Sequence, residues 1–148
     1  STQNRIPARK LKNVGTSAAV LSDLVKRLIE HLGQWCIEKV ILSKQPDFIE
    51  KNQIILDADK VGNIVLRYWK AGDRFSPRGI NGSKKLARVM RDLHISAGER
   101  RIWPLVADEN HIYWIAFLRG SNYGLPDKNT KKYLLITLKK ENREDEES

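Results

Sequence analysis

Short runs of β-branched and aromatic residues, separated by turn residues, fill the chain from about residue 53 and constrain its fold more than any other feature. The runs are QIILDAD, GNIVLRYW, IWPLVAD, HIYWIAFL and KYLLITLKK. Their composition is typical of β-strands. The intervening KVG predicts that the first two runs pair as a hairpin, and the EN dipeptide predicts a second hairpin from the next two. The last run, 132–140, predicts the final strand.

Two segments have the 3.6-residue period of helices. Residues 17–32 repeat leucine and valine at helical spacing, and residues 83–94, SKKLARVMRDLH, do the same. In the second segment the apolar stripe is Leu86, Val89, Met90 and Leu93, and Ser83 is the predicted N-cap. SAGERR at 96–101 predicts a short helical turn, whereas WCIEKVIL at 35–42 is compatible with either helix or strand. The expected fold is α+β, a small mixed or antiparallel sheet packed with helices and preceded by a helical N-terminal segment.

Charge and composition suggest four segments. We expect a flexible basic arm at 1–16, a helical segment of unassigned role at 17–50, an α+β domain at 51–140 and an acidic disordered tail at 141–148. The formal net charge of the chain is +9, although the last eight residues, ENREDEES, are strongly acidic. A body this basic indicates a polyanionic partner.

Several chemistries are not supported by the sequence. Cys36 is the only cysteine, so an internal disulfide and a cysteine-based zinc site are excluded, and a reducing cytoplasm is expected. No apolar run approaches the roughly 18 residues of a membrane span. The glycine loop at 79–84 is too short for a Walker A loop, and its serine precedes the lysine. We therefore predict no catalytic residue, no metal ligand and no cofactor site in this chain.

Basic residues concentrate around the stretch GDRFSPRGINGSKKL at 72–86. Eight of them lie between positions 67 and 91: Arg67, Lys70, Arg74, Arg78, Lys84, Lys85, Arg88 and Arg91. With the apolar stripe facing the core, the cations of the predicted helix face solvent, where their mutual repulsion favours an anionic ligand. Gly79 and Gly82 allow a close approach to the backbone. The pattern predicts a surface that binds the phosphates of a nucleic-acid backbone.

Two other interpretations remain open. The chain could be a small enzyme that uses Asp57, Asp59 or Asp73 as a catalytic carboxylate, although Asp73 more simply fixes its turn by accepting backbone hydrogen bonds. The basic surface could instead dock on an acidic protein.

Aromatic residues near the basic stretch predict core packing rather than base stacking. Trp69 and Phe75 flank the loop, and Tyr113 and Trp114 alternate on a strand, so one of the latter pair should face inward and the other outward.

The ordered features of residues 53–139 resemble the C-terminal domain of bacterial tRNA(Ile)-lysidine synthetase. They run from the Asp-Ala-Asp segment at 57–59 and the Gly-Asp-Arg-Phe turn at 72–75 to the closing strand. Between these lie Arg67, Pro77, Gly79, Gly82, Lys84, Lys85, Leu86, Asp92, Ile95, Arg100 or Arg101, Pro104, the strand at 112–114, and Arg119. The chain departs from the family at Phe117, where the family often has glycine.

The resemblance implies a tRNA-recognition domain that contacts the acceptor stem and is not catalytic alone. The Ser-Gly-Gly-x-Asp-Ser loop of the family's ATP-pyrophosphatase domain is absent here, so ATP and Mg²⁺ are expected in that other domain, as a partner in the same polypeptide. A start at Ser1 rather than Met is consistent with a fragment of the synthetase. A cytoplasmic location and a possible homodimer are also expected. The expected RNA contacts are Arg67, Lys70, Arg74, Arg78, Lys84, Lys85, Arg88, Arg91, Arg101 and Arg119.

Overall fold

The computed structural model describes residues 35–140, which form antiparallel β-sheets with one short α-helix. In chain order, the strands within this range are β1 (Trp35–Leu42), β2 (Gln53–Asp57), β3 (Val65–Arg67), β4 (Arg74–Phe75), β5 (Lys84–Lys85), β6 (Leu105–Ala107), β7 (Ile112–Ile115), β8 (Arg119–Gly120) and β9 (Tyr133–Lys140). Helix α1 spans Leu86–Asp92, and two 3-10 turns span Ala58–Lys60 and Glu99–Arg101.

The first sheet has three strands in the order β1-β9-β2, so the last strand of the chain lies at its centre. In β9 the side chains of Leu134, Ile136 and Leu138 are buried at alternate positions, which is the period of a strand with one face on the core. All eight residues of β1 pair with β9, from Trp35 opposite Lys140 onward. The open choice for residues 35–42 is therefore resolved as a strand.

The second sheet has the order β3-β6-β7-β8, and its two central strands are covered on both faces. The β6–β7 hairpin predicted through the Glu109–Asn110 turn is confirmed. The expectation that only one of Tyr113 and Trp114 faces inward is wrong, because both are at least 94% buried. A strand that is covered on both sides loses the alternation on which that expectation depended.

A two-stranded ribbon, β4–β5, leads directly into α1. The predicted apolar stripe of the helix is confirmed, since Leu86, Val89 and Met90 are buried. The helix begins three residues later than predicted, because Lys84 and Lys85 pair with β4 instead of forming the first turn. Ser83 is therefore not the N-cap.

The predicted fold class is wrong in its helical content. The described residues are dominated by sheets, with one seven-residue α-helix, rather than a sheet packed with helices. Residues 35–42, which were assigned to a helical N-terminal segment, form β1. The predicted helix at 17–32 lies outside the described residues, as do the basic arm and the acidic tail, and the division of the chain into four segments remains a prediction.

The predicted hairpin formed by the first two strand-like runs is also wrong. β2 pairs with β9 and β3 pairs with β6, so the two runs belong to different sheets.

Phe117 links the two larger sheets at the turn between β7 and β8. Its φ of 70° is in the left-handed region, which residues other than glycine rarely adopt. Its ring packs edge-on against Trp35 of β1, with 5.6 Å between centroids, and lies 6.0 Å from the ring of Trp114 in β7. Phe117 thus combines a backbone conformation typical of glycine with an aromatic contact between the two sheets.

Candidate nucleic-acid interface

The turn between β3 and β4 is organised by Asp73. Its carboxylate accepts the backbone N–H of Lys70 at 2.8 Å, and its own N–H donates to the Lys70 carbonyl at 3.1 Å. Gly72, between them, has a φ of 91°. The interpretation of Asp73 as the residue that fixes this turn is confirmed.

Arg67, a predicted RNA contact, has its guanidinium turned to the same carboxylate. It donates to both oxygens of Asp73, at 2.9 and 3.0 Å, and to the Tyr68 carbonyl at 3.0 Å. Burial by itself would raise the pKa of Asp73, but the hydrogen bonds from Arg67 and the Lys70 N–H outweigh it, and the pKa lies below its ordinary value. Arg67 thus stabilises the turn that presents the other cations.

Arg74 and Lys85 are directly opposite each other in the β4–β5 ribbon and are both exposed. Residues opposite each other in an antiparallel pair project to the same face, with Cβ atoms about 5 Å apart, and like charges there are destabilising. Arg74 donates to the Ser83 hydroxyl and carbonyl, which are neutral groups. Among residues 35–140, no salt bridge neutralises either cation.

Arg78 and Arg119 are brought together by the loop that joins β4 to β5. The Arg119 guanidinium donates to the Arg78 carbonyl at 3.0 Å, and the Arg78 N–H donates to the Gly120 carbonyl at 3.0 Å. The Arg78 guanidinium lies so close to Gly120 that a Cβ at that position would be 2.9 Å from it. We call residues 74–85 the basic hairpin, and Arg119 lies beside it.

Asn122, which the sequence analysis did not select, holds this loop in place. Its side-chain amide donates to the Ser76 hydroxyl and to the carbonyls of Pro77 and Ile80, and its oxygen accepts the Gly79 N–H. All four bonds join residues more than 40 positions apart. No local pattern in the sequence could have indicated them.

The remaining predicted contacts have different surroundings. Lys84 is half-buried in β5, whereas Lys70, Arg88 and Arg91 are exposed near the ribbon or on α1. Arg101 is exposed in the second 3-10 turn, and no described hydrogen bond or salt bridge connects it to the basic hairpin.

A second polar cluster, also missed from the sequence, lies behind the 108–111 turn. Asp108 is buried and accepts hydrogen bonds from the N–H groups of Gly62, Asn110 and His111 and from the Tyr113 hydroxyl at 2.6 Å. Burial opposes ionisation, but these four donors hold the pKa of Asp108 at about 2, and burial with the same carboxylate raises the pKa of Tyr113.

The other acidic residues considered as catalysts have structural roles or open surroundings. Asp57 caps the first 3-10 turn through the Asp59 N–H and accepts the Thr130 hydroxyl at 2.7 Å. Asp59 is exposed. Within residues 35–140, no three His, Cys, Asp or Glu side chains are placed to hold a metal ion. In the same range, no helix has the length and apolar character needed to cross a membrane.

These features define a small β-sheet domain with a cationic hairpin on its surface. Residues 64–136 match the family model described as the TilS substrate C-terminal domain. These residues belong to that family, which confirms the resemblance found in the sequence.

Similar proteins agree with that assignment. The tRNA(Ile)-lysidine synthase of Caldanaerobacter subterraneus subsp. tengcongensis is 40% identical over 115 residues, which is 76% of this chain and 25% of that protein. The synthase of Clostridium tetani is 42% identical over 86 residues, covering 57% of this chain and 18% of that protein. This chain thus spans about a quarter or less of these relatives.

Solved structures support the fold. A crystal structure of a TilS C-terminal domain superposes with a TM-score of 0.62 at 24% identity, covering 73% of this chain and 85% of the other. An N-terminal fragment of the phenylalanyl-tRNA synthetase β-subunit from Pyrococcus horikoshii gives a TM-score of 0.50 at 15% identity, covering 93% and 37%. Both likenesses bear on the fold alone.

Proposed function

We propose that this domain binds tRNA through the backbone of the acceptor stem, in the service of a tRNA(Ile)-lysidine synthase reaction. The relatives that carry this domain are named tRNA(Ile)-lysidine synthases, which supports the choice of RNA. In this proposal the ATP- and Mg²⁺-dependent chemistry takes place in a separate ATP-pyrophosphatase domain of the same polypeptide, in the cytoplasm.

The observation that carries the proposal is the exposed pair Arg74 and Lys85. Two like charges that lie opposite each other in a two-stranded ribbon repel each other. Among the described residues, no carboxylate forms a salt bridge with either of them. A phosphate that lies between them would offset the repulsion. An A-form stem is recognised mainly through its phosphates and 2′-hydroxyls, which suits a surface rich in cations.

Arg78 and Arg119 extend the surface along the loop beside the ribbon. Arg119 bonds to the Arg78 backbone, so both guanidinium-bearing segments are held in a fixed relation to each other. Gly79 and Gly82 have left-handed φ angles of 84° and 79°, and no other atom lies near the place where a side chain would project. The protein backbone at these two glycines is therefore accessible to an RNA strand.

Binding of the chain to a tRNA(Ile) transcript across a range of salt concentrations tests this function. The double variant Arg74→Gln/Lys85→Gln should lose affinity about uniformly among RNA stems and lower the log–log salt slope by about 1, because it loses the one phosphate that lies between the pair. The matched control is Lys128→Gln/Lys131→Gln, which removes two exposed cations from the loop before β9.

The control should bind like the unmodified chain. If both double variants lose the same affinity, the effect is one of net charge and the hairpin has no special role. If the hairpin variant retains full affinity, RNA binds elsewhere or not at all.

A further inference from the structure

A groove of about 470 Å³ runs beside the basic hairpin, between two segments distant in sequence. The residues that line it include Lys70 and Arg74 together with His111 and Tyr123. The groove therefore combines cations with an aromatic pair. This aromatic pair is not part of the stem-binding surface described above.

The aromatic pair is preformed. The rings of His111 and Tyr123 are stacked, with 3.8 Å between centroids and 12° between planes, and the edge of Tyr113 supports His111 at 6.1 Å. The backbone of His111 is fixed by its N–H bond to Asp108, and that of Tyr123 by its bond to the Ser121 hydroxyl. Tyr123 nevertheless remains 39% exposed.

The carboxylates that line the groove are mostly occupied. Asp73 is neutralised by its arginine partner, and Asp108 is buried with four hydrogen-bond donors. Glu109 also lines the groove and is exposed. An anionic group would therefore lie toward Lys70 and Arg74 and away from Glu109.

We propose that this groove holds one unpaired nucleotide of the bound RNA, with its base against the Tyr123 ring and its phosphate at Lys70 and Arg74. Every base has a flat π-face, so stacking on an aromatic side chain tolerates any base, and a neighbouring cation holds the backbone. The inference rests on the proposed function and adds to it a site for single-stranded RNA next to the stem.

The test uses the full chain with two RNA hairpins that share one stem. One ends blunt, and the other carries a short single-stranded 3′ extension that contains the fluorescent base 2-aminopurine. The unmodified chain should bind the extended hairpin about tenfold more tightly than the blunt one and should change the 2-aminopurine emission, because stacking changes its fluorescence.

The Tyr123→Leu variant should lose this preference and the fluorescence change, whereas Tyr123→Phe should keep both. The matched control is Tyr68→Leu, since Tyr68 is another exposed tyrosine, 44% accessible, that does not line the groove. Glu109→Gln should tighten binding of the extended hairpin more than that of the blunt one.

The outcomes separate the two proposals. Equal affinity for both hairpins, with no fluorescence change in the unmodified chain, overturns the nucleotide site and leaves stem binding intact. Failure to bind either hairpin overturns the proposed function as well. If Tyr123→Leu also fails to bind the blunt hairpin, the 2-aminopurine signal decides the test. A change of emission with both the unmodified chain and Tyr123→Phe supports the nucleotide site, and no change with either overturns it.

Discussion

Arg67 and Asp73 form a two-point ion pair in which the two terminal guanidinium nitrogens donate to different carboxylate oxygens, at 2.9 and 3.0 Å. Both side chains are largely shielded from solvent, with exposures of 23% and 14%. The pair ties β3 to the turn before β4, so an arginine that the sequence predicts to contact RNA is positioned to support this turn. The two roles make different predictions.

Arg67→Lys should lower the free energy of unfolding by about 1 kcal/mol, because lysine keeps the charge but cannot make the two parallel bonds. Asp73→Ala should cost about 2 kcal/mol, since it also removes the acceptor for the Lys70 N–H. Urea unfolding measures both. If Arg67→Lys leaves stability unchanged and weakens tRNA binding severalfold, Arg67 is a direct contact and the supporting role is wrong.

Asn122→Ala should weaken tRNA binding severalfold although it changes no charge. The substitution removes four hydrogen bonds that fix residues 76–80, so Arg78 loses its defined position. The salt slope of binding should stay near that of the unmodified chain, because the number of cations is the same. Asn129→Ala, at an exposed loop position, is the control and should bind normally. Equal binding by both variants would mean that tRNA binding does not need the hydrogen bonds that Asn122 makes to the loop.

Substitutions at Phe117 should show an unusual order of stability. Phe117→Ala removes the ring that packs on Trp35 and should cost about 3 kcal/mol or more. Phe117→Gly removes the same ring but relieves the left-handed backbone, so it should be more stable than Phe117→Ala by about 1 kcal/mol. Thermal or urea unfolding of the two variants checks this order. The reverse order would show that the backbone at this turn is not strained.

The success of the sequence predictions follows the range of the interactions involved. The β6–β7 hairpin and the stripe of α1 depend on neighbours within a few residues, and both are confirmed. β2 and β3 look like hairpin partners, but their true partners lie far along the chain, as in the pairing of Gln53 with Thr137. Turn chemistry was partly accessible: Asp73 was interpreted correctly, whereas Ser83, a natural N-cap by residue type, instead accepts a bond from Arg74.

The candidate site shows the same limit. The enrichment in cations from 67 to 91 was visible in the sequence, and it led to the ribbon where Arg74 faces Lys85. The engagement of Arg67 by Asp73 was not visible, because a run of charges does not show which members pair internally. The hydrogen bonds of Asn122 and the stacking of Tyr123 on His111 are contacts across the fold, so no spacing rule could select these two residues.

Acid should destabilise the domain through Asp108. Its pKa is about 2 in the folded state, against an ordinary value of 3.8, so the folded state binds this proton less readily than the unfolded chain does. The resulting stabilisation is complete above about pH 4 and is lost as the pH falls toward 2, and at neutral pH it amounts to about 2 kcal/mol. Asp108→Asn should therefore lower the free energy of unfolding at pH 7 by about that amount and flatten its dependence on pH between 4 and 2.

Urea unfolding at a series of pH values measures both effects of Asp108→Asn. The control is Glu109→Gln, which changes an exposed neighbour and should leave the free energy of unfolding at pH 7 near that of the unmodified chain. A variant at Asp108 whose stability still falls as steeply as that of the unmodified chain would place the acid sensitivity in another carboxylate.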